Sequence, residues 1–160
     1  MKKLPLTRRR SVDLSSAELV RCEPLVAGRS LPLLLRPGDS GGGVDPVSWA
    51  AEHSDFLEQR LLEHGGLLFR GFDIDTPERF ESFIRAAAGD LLDYQDRATP
   101  RSRVHHQIYT STDYPADQTI ELHNENCYAS SFPMKLFFCC QTAARNGGET
   151  PLADCRQVYD

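Results

Sequence analysis

Apolar residues in the first half of the chain recur at spacings typical of a short strand followed by an amphipathic helix. Residues 31–37 (LPLLLRP) form a brief apolar run broken by prolines, which predicts an edge strand because proline cannot donate a ladder hydrogen bond. A helix is predicted over residues 45–65, where Asp45 can act as N-cap, Pro46 suits the first turn and Gly65 provides a stop. The predicted apolar face of this helix comprises Val47, Ala50, Ser54, Leu57 and Leu61.

The pattern becomes shorter in period and richer in β-forming residues toward the end of the chain. Residues 66–72 (GLLFRGF) predict a strand, and a second helix is predicted over residues 76–87 with Thr76 as its N-cap. Beyond residue 90, short β-rich segments alternate with Pro, Gly, Asn and Asp. Strands are predicted there over residues 104–109, 119–123, 135–142 and 149–154. The second half is therefore expected to be mainly sheet.

Length and composition indicate one ordinary globular domain. The chain has 160 residues, of which 40% are hydrophobic and 26% are charged, and a chain of this length can bury a sizeable core. Five of the 18 cationic residues precede residue 11, so the remainder has 13 against 23 acidic residues, a formal charge of −10. The chain after residue 10 is too acidic to attract a phosphate backbone, so no nucleic-acid partner is expected. We predict a basic, weakly structured segment over residues 1–30 and a domain over residues 31–160.

The sequence also bears on location. No apolar run approaches the ~20 residues that a membrane-spanning helix needs, so no membrane partner is expected. The basic start MKKLPLTRRR is not followed by an apolar segment, so no export signal is predicted. The cysteines are odd in number and lack C-x-x-C spacing, which favours a reducing cytoplasm over a disulfide framework. They are Cys22, Cys127, Cys139, Cys140 and Cys155.

The sequence LHNENCY holds the first candidate site. His123 and Glu125 are separated by one residue, and alternation along a strand would put both side chains on one face, with Cα atoms roughly 6.6 Å apart. An imidazole and a carboxylate at this spacing could form two corners of a 2-His-1-carboxylate facial triad on ferrous iron. Taken alone, the pair is also what a chance surface pair would look like. The surrounding sequence has to decide between these interpretations.

A second candidate lies in NGGETPLAD, where Gly147 and Gly148 predict a tight turn before Thr150. An ordinary hairpin turn would explain these residues. Alternatively, the Thr150 hydroxyl could donate to the carboxylate of a bound acid, and the glycines would let the backbone approach that ligand closely.

Taken together, these motifs resemble the first half of the taurine dioxygenase-like (TauD/TfdA) iron(II)- and 2-oxoglutarate-dependent oxygenases. The resemblance covers roughly residues 30–160. Within the family, the sequence looks most like the branch found in natural-product biosynthesis. It is carried by LPLLLRP, GLLFRGF, ATPR, IYTSTDYP, LHNE, FP-x-K-LFFCC and GGET. The resemblance implies a mainly β fold with flanking helices, the incomplete double-stranded β-helix, or jelly roll, of the clavaminate synthase-like type.

The resemblance also implies roles for individual residues. His123 and Glu125 match the first two iron ligands of the family, and Thr150 matches its 2-oxoglutarate-binding threonine. The implied reaction uses O₂ to decarboxylate 2-oxoglutarate to succinate and CO₂ and hydroxylates a small, amino-acid-like or carrier-protein-bound substrate. Relatives that halogenate have a small residue at the position of Glu125, so a halogenase is not implied.

The family pattern places a distal histidine and a 2-oxoglutarate-binding arginine well beyond Thr150, and the given sequence ends at Asp160. Three explanations remain open: the chain is a fragment, another chain supplies the missing half, or activity has been lost. The alternative function is therefore a non-catalytic pseudoenzyme or binding fragment that associates with a partner. A homo-oligomer is also compatible with the sequence. Residues 135–142 would lack strand partners, so the run LFFCC is expected to face solvent and promote self-association.

Two further groups of polar residues have simpler interpretations. His105 and His106 are adjacent, so on a strand they would point to opposite faces, and a shared metal ion is not expected. Arg97 and Arg101 could bind an anionic substrate, but surface or salt-bridged arginines are the commoner case.

Nucleophilic catalysis has little support in the sequence. Cys139 and Cys140 lie in an apolar segment and are expected to be small buried residues rather than nucleophiles. Ser111 and Thr112 lack the partners of a Ser-His-Asp triad, so no hydrolase is predicted.

Overall fold

The computed structural model describes residues 19–39, 43–93, 101–111, 115, 118–130 and 132–159. Within these residues the chain forms two small sheets and four helices. In chain order they are β1 (Val20–Pro24), β2 (Leu33–Pro37), α1 (Pro46–Glu52), α2 (Ser54–His64), β3 (Leu67–Phe69), α3 (Pro77–Ala88), β4 (Arg103–His105), β5 (Ile108–Tyr109) and α4 (Cys155–Tyr159).

The larger sheet has the order β1-β2-β3, with β2 antiparallel to β1 and parallel to β3. The edge position predicted for residues 31–37 is therefore wrong. The prolines do not prevent a central position, because Pro32 precedes the strand and Pro37 is its last residue. The backbone N–H groups in the interior of the strand can therefore all donate to neighbouring strands. Strand β1 lies inside the segment that was predicted to be weakly structured. Parallel pairing of β2 and β3 requires a crossover connection, which α1 and α2 provide.

The predicted helix over residues 45–65 is two helices that meet at His53. Asp45 caps α1 by accepting from the Ser48 backbone N–H at 2.9 Å, and Gly65 ends α2 with a φ of 75°. At the break, the His53 ring donates its Nδ1–H to the Trp49 carbonyl oxygen at 2.8 Å and stacks on the Trp49 ring. A side chain that uses a backbone carbonyl in this way competes with the helical ladder.

Helix α3 follows its prediction closely. The Thr76 hydroxyl accepts from the Arg79 backbone N–H at 3.2 Å, and Pro77 occupies the first turn. Its Phe83 packs in the hydrophobic core, which lies between the larger sheet and the helices. The core consists of Val20, Leu33, Leu35, Trp49, Ala50, Leu57 and Phe83.

The sheet predicted for the second half is mostly absent from the described residues. The predicted strand over residues 104–109 is a hairpin, β4–β5, in which a turn at His106 and Gln107 reverses the chain. Described residues within 119–123, 135–142 and 149–154 adopt no strand, and the chain turns helical at Cys155. The described residues do not by themselves close a double-stranded β-helix.

Residues 132–140 form no strand but show a regular pattern of burial. Exposed residues alternate with half-buried ones along this segment, which is the burial pattern of a strand, although no paired strand is described beside it. Its Lys135 pairs with Glu58 of α2, and the Cys139 thiol donates to the Ile74 carbonyl oxygen at 3.7 Å. Burial raises the pKa of Cys139, whereas Cys140 is exposed, contrary to its predicted burial.

The last described element is held by an arginine. Arg156 of α4 donates to the carbonyl oxygens of Leu62 at 3.2 Å and Glu63 at 3.4 Å, at the C-terminal end of α2. A cation there satisfies carbonyls that have no intrahelical partner. No helix in the described part of the chain is long and apolar enough to cross a membrane.

Candidate functional site

His123 and Glu125 lie together, as the sequence predicted. His123 Nε2 and Glu125 Oε2 are 3.5 Å apart. The predicted strand does not bring them together: His123 lies in irregular chain and Glu125 begins a turn that continues with Asn126 at a φ of 54°. Asn tolerates this left-handed conformation better than most residues. The turn, rather than strand alternation, therefore sets the approach of the two side chains.

A backbone hydrogen bond fixes the chemistry of His123. Its Nδ1 lies 2.8 Å from the Glu121 carbonyl oxygen. Since a carbonyl oxygen can only accept, Nδ1 carries the hydrogen and, in the neutral ring, Nε2 carries the lone pair. Metal-binding histidines usually have this arrangement, in which the second ring nitrogen is held by a carbonyl or carboxylate. The available donor atom is the one that faces Glu125.

Arg101 completes this site, and the sequence did not assign it there. Its Nη2 donates to Glu125 Oε1 at 2.8 Å, and both side chains are mostly buried, with 19% and 18% of their surface exposed. The bond engages one carboxylate oxygen and leaves Oε2 directed at His123. In the sequence, Arg101 stood out only in the ATPR motif and as an anion-binding or salt-bridged arginine, and the structure shows a salt bridge. Arg97, its companion in the prediction, and Thr112 lie outside the described residues.

Thr150 is exposed in irregular chain, after Gly147 and Gly148, which have φ values of 66° and 78°. The turn predicted at these glycines is thus consistent with their left-handed backbone. No contact described in the structure joins Thr150 to His123 or Glu125. Its role in binding 2-oxoglutarate stays a prediction.

The segment after Thr150 returns to the site. The Cys155 thiol donates to Asn124 Oδ1 at 3.3 Å, which places the start of α4 beside the residue between His123 and Glu125. The neighbouring Asp154 is bound by Arg156, whose hydrogen bonds hold the pKa of Asp154 below its ordinary value.

A second group of possible metal ligands lies at the β4–β5 hairpin. Glu81 of α3, His105 and His106 each direct a ligand atom to one place, with the three atoms within 4.8 Å of one another. The expectation that the two histidines point apart is wrong, because His106 leaves the strand with a φ of 28° and its ring stacks on that of His105 at 4.2 Å. Hydrogen bonds from Arg85 hold the pKa of Glu81 low.

The His123–Glu125 pair and the hairpin group offer different sets of possible metal ligands. In the pair, one imidazole nitrogen and one carboxylate oxygen face each other, the Glu121 carbonyl oxygen holds His123 Nδ1, and Arg101 binds the other carboxylate oxygen. At the hairpin, by contrast, two adjacent imidazoles and a glutamate from a helix form the set. The order His-x-carboxylate occurs at 123–125 and again at His53–Asp55, where the His53 ring bonds to the Trp49 carbonyl oxygen and stacks on the Trp49 ring.

Comparison with known proteins places these residues in a family context. The family model "Taurine catabolism dioxygenase TauD, TfdA family" matches residues 29–160. The chain is 38% identical over 135 residues to the dapdiamide synthesis protein DdaC of Enterobacter agglomerans, covering 84% of the chain and 40% of that protein. It is 37% identical over 105 residues to a clavaminate synthase-like protein of Arabidopsis thaliana, covering 66% of the chain and 32% of that protein. The chain therefore spans well under half of either relative.

Proposed function

Because the chain belongs to the TauD/TfdA dioxygenase family, we propose that it provides two iron ligands and part of the 2-oxoglutarate site of an oxygenase. The proposed reaction is hydroxylation of a small, amino-acid-like or carrier-bound substrate in natural-product biosynthesis. The name of DdaC, a dapdiamide synthesis protein, supports the biosynthetic setting. The observation that carries the proposal is the approach of His123 Nε2 to Glu125 Oε2, at 3.5 Å.

Each residue of the site has a separate part in this proposal. His123 presents Nε2 because the Glu121 carbonyl holds its Nδ1–H. Glu125 presents Oε2 because Arg101 holds Oε1, so Arg101 is a positioning residue. The partial burial of both side chains keeps water from competing for the carboxylate. Thr150 would donate its hydroxyl to a carboxylate of 2-oxoglutarate.

Iron(II), when bound, supplies the redox chemistry that couples 2-oxoglutarate and O₂ to substrate oxidation. The proposal includes a distal histidine as a further iron ligand and an arginine that binds 2-oxoglutarate, both from sequence beyond the aligned part of the relatives. We place the reaction in the cytoplasm, where the five thiols, all free in the structure, stay reduced.

An anaerobic titration with ferrous iron tests the ligand pair. We expect His123→Ala and Glu125→Ala to weaken iron binding about tenfold or more, since changes even to outer-shell partners of a metal ligand cost 10- to 100-fold. His64→Ala is the matched control, because His64 also has its Nδ1 on a backbone carbonyl, at 2.9 Å, but lies in α2. Equal iron affinity in all three variants would remove the ligand assignment and favour the non-catalytic binding role.

The threonine is tested separately with 2-oxoglutarate. Thr150→Val keeps the volume and deletes the hydroxyl, so binding of 2-oxoglutarate to the iron-loaded protein should weaken by about 1–3 kcal/mol while iron affinity is kept. The charge-transfer absorption of the chelate reports this binding. An unchanged 2-oxoglutarate affinity would show that Thr150 has no such role.

A further inference from the structure

The β4–β5 hairpin carries a cluster of donor atoms that the proposed function does not use. His105 Nε2 and His106 Nδ1 lie 3.2 Å and 3.1 Å from the same oxygen, Glu81 Oε2. We propose that Glu81, His105 and His106 bind a zinc-type divalent cation, at a site separate from the His123–Glu125 pair.

Two atoms of the cluster that point away from the common place, Glu81 Oε1 and His105 Nδ1, face other charged groups. Arg85 donates to the other Glu81 oxygen, Oε1, at 3.0 Å from Nε and 2.9 Å from Nη2. The His105 ring directs its second nitrogen, Nδ1, at Glu78 Oε1, 3.6 Å away. A carboxylate behind a histidine is the usual outer-shell partner of a zinc ligand, because it orients the ring and raises its basicity.

Two of the three separations between the donor atoms suit a tetrahedral ion, and the third is within 4.8 Å. Zinc binds imidazole nitrogen and carboxylate oxygen at about 2.0–2.1 Å, so two ligands of a tetrahedron lie about 3.3 Å apart. The two nitrogen–oxygen separations in the cluster are close to this edge length. Glu81 is only 6% exposed, so its oxygen is held in place by packing before any ion arrives.

Charge favours a divalent cation at this position. Three carboxylates, those of Glu78, Glu81 and Asp90, are connected to the cluster, against one guanidinium, Arg85, which also bonds to Asp90 at 2.8 Å. With neutral imidazoles the formal charge is −2, which a divalent ion balances. Two imidazoles and one carboxylate select zinc and its borderline neighbours over magnesium or calcium, which prefer oxygen ligands.

The bound ion would connect α3 to the hairpin. Glu81 belongs to α3, whereas His105 ends β4 and His106 starts the turn. Arg101, which pairs with Glu125, lies two residues before β4. A cation at the hairpin would therefore restrict the segment that positions Arg101, while its fourth coordination position stays open to water.

Without a metal, each imidazole could donate an N–H to Glu81. The experiment distinguishes this hydrogen-bonded cluster from a cluster that binds a metal ion. The full chain carrying His123→Ala and Glu125→Ala is titrated with Co²⁺ as a spectroscopic substitute for zinc, followed by competition with Zn²⁺. We expect one equivalent of Co²⁺ to give the visible absorption of a four-coordinate ion, and Zn²⁺ to displace it. Because the iron ligands are absent from this background, the result is independent of the proposed function.

In the same background, we expect His105→Ala, His106→Ala and Glu81→Gln each to weaken binding about tenfold or more. His64→Ala, remote from the cluster in sequence, is the control and should leave it unchanged. Glu81→Gln keeps the side-chain volume, and circular dichroism shows whether each variant folds. Absence of the four-coordinate spectrum in the folded background, or equal affinity in the folded cluster variants and the control, would overturn the proposal.

Discussion

Residues 19–93 and residues 101–159 differ in how they are held together. Every buried apolar side chain of the described chain lies in the first region, between Val20 and Ile84. The second region instead exposes large apolar side chains, including Met134 at 88% and Phe138 at 72%. Yet it is the second region that contains His123 and Glu125. The chemistry and the core therefore belong to different parts of the described chain.

This difference implies that polar ties, rather than apolar packing, attach the site region to the core region. Lys135 pairs with Glu58, Arg156 bonds to the end of α2, and the hairpin histidines meet Glu81. Such contacts are directional and individually weak when exposed. We therefore expect mutations in the first region to lower mainly the stability of the fold, and mutations in the second region to weaken mainly ligand binding.

Hydrogen exchange should give the largest contrast. Amides of β2 are inside a three-stranded sheet, whereas residues 132–140 have no backbone hydrogen bond among the described contacts. We expect the β2 amides to exchange on the order of a hundredfold or more slowly, because exchange reports local opening free energy. Mass spectrometry of peptides from the two segments measures this. Equal protection would show that residues 132–140 are paired in solution.

Truncation of a leucine in each region sharpens the comparison. Leu35 is completely buried, and Leu35→Ala should lower the free energy of unfolding by about 2–5 kcal/mol, as core truncations do. Leu136 is 49% exposed, and Leu136→Ala should cost within about 0.5 kcal/mol. Urea unfolding followed by circular dichroism gives both values. A similar loss in both variants would mean that the second region has a core of its own.

Two threonines provide the smallest contrast. Thr76 caps α3, so Thr76→Ala should destabilise by about 1 kcal/mol, whereas Thr150→Val, at an exposed position without a described structural contact, should leave stability nearly unchanged. The same denaturation assay measures both. If Thr150→Val destabilised as strongly as Thr76→Ala, its hydroxyl would have a structural role in addition to the proposed ligand role.

Local signals in the sequence predicted local structure well. Asp45 and Thr76 are caps followed by Pro, and their side chains accept the hydrogen bonds expected of them. The break in the helix at His53 depends on the hydrogen bond from its side chain to the Trp49 carbonyl oxygen. Hydrophobic periodicity does not predict such a bond. The predicted strands near residues 135–142 show a further limit, because alternation specifies an extended backbone but not a pairing partner.

In the candidate site, too, the local contacts were predicted from the sequence and the long-range contacts were not. His123 and Glu125 were predicted from close spacing and family resemblance, and they do face each other. Arg101 binds Glu125 across 24 residues of sequence, and Glu81 meets His106 across 25. Contacts at that separation depend on the tertiary arrangement of helix, hairpin and turn. The local rule that adjacent strand residues point apart failed at His106 because a turn intervened.

The bonds from Arg156 to the end of α2 also bear on the order of folding. The sequence separations between the bonded residues are 94 and 93 positions. Closing a free loop of that length costs on the order of 4 kcal/mol in chain entropy. A few exposed hydrogen bonds cannot offset this cost in an unfolded chain. Once the helices and the sheet have formed, much of the intervening chain is already confined and the remaining cost is smaller. The Arg156 contact is thus a late event, and a fluorescent pair across it would report the completion of folding rather than its start.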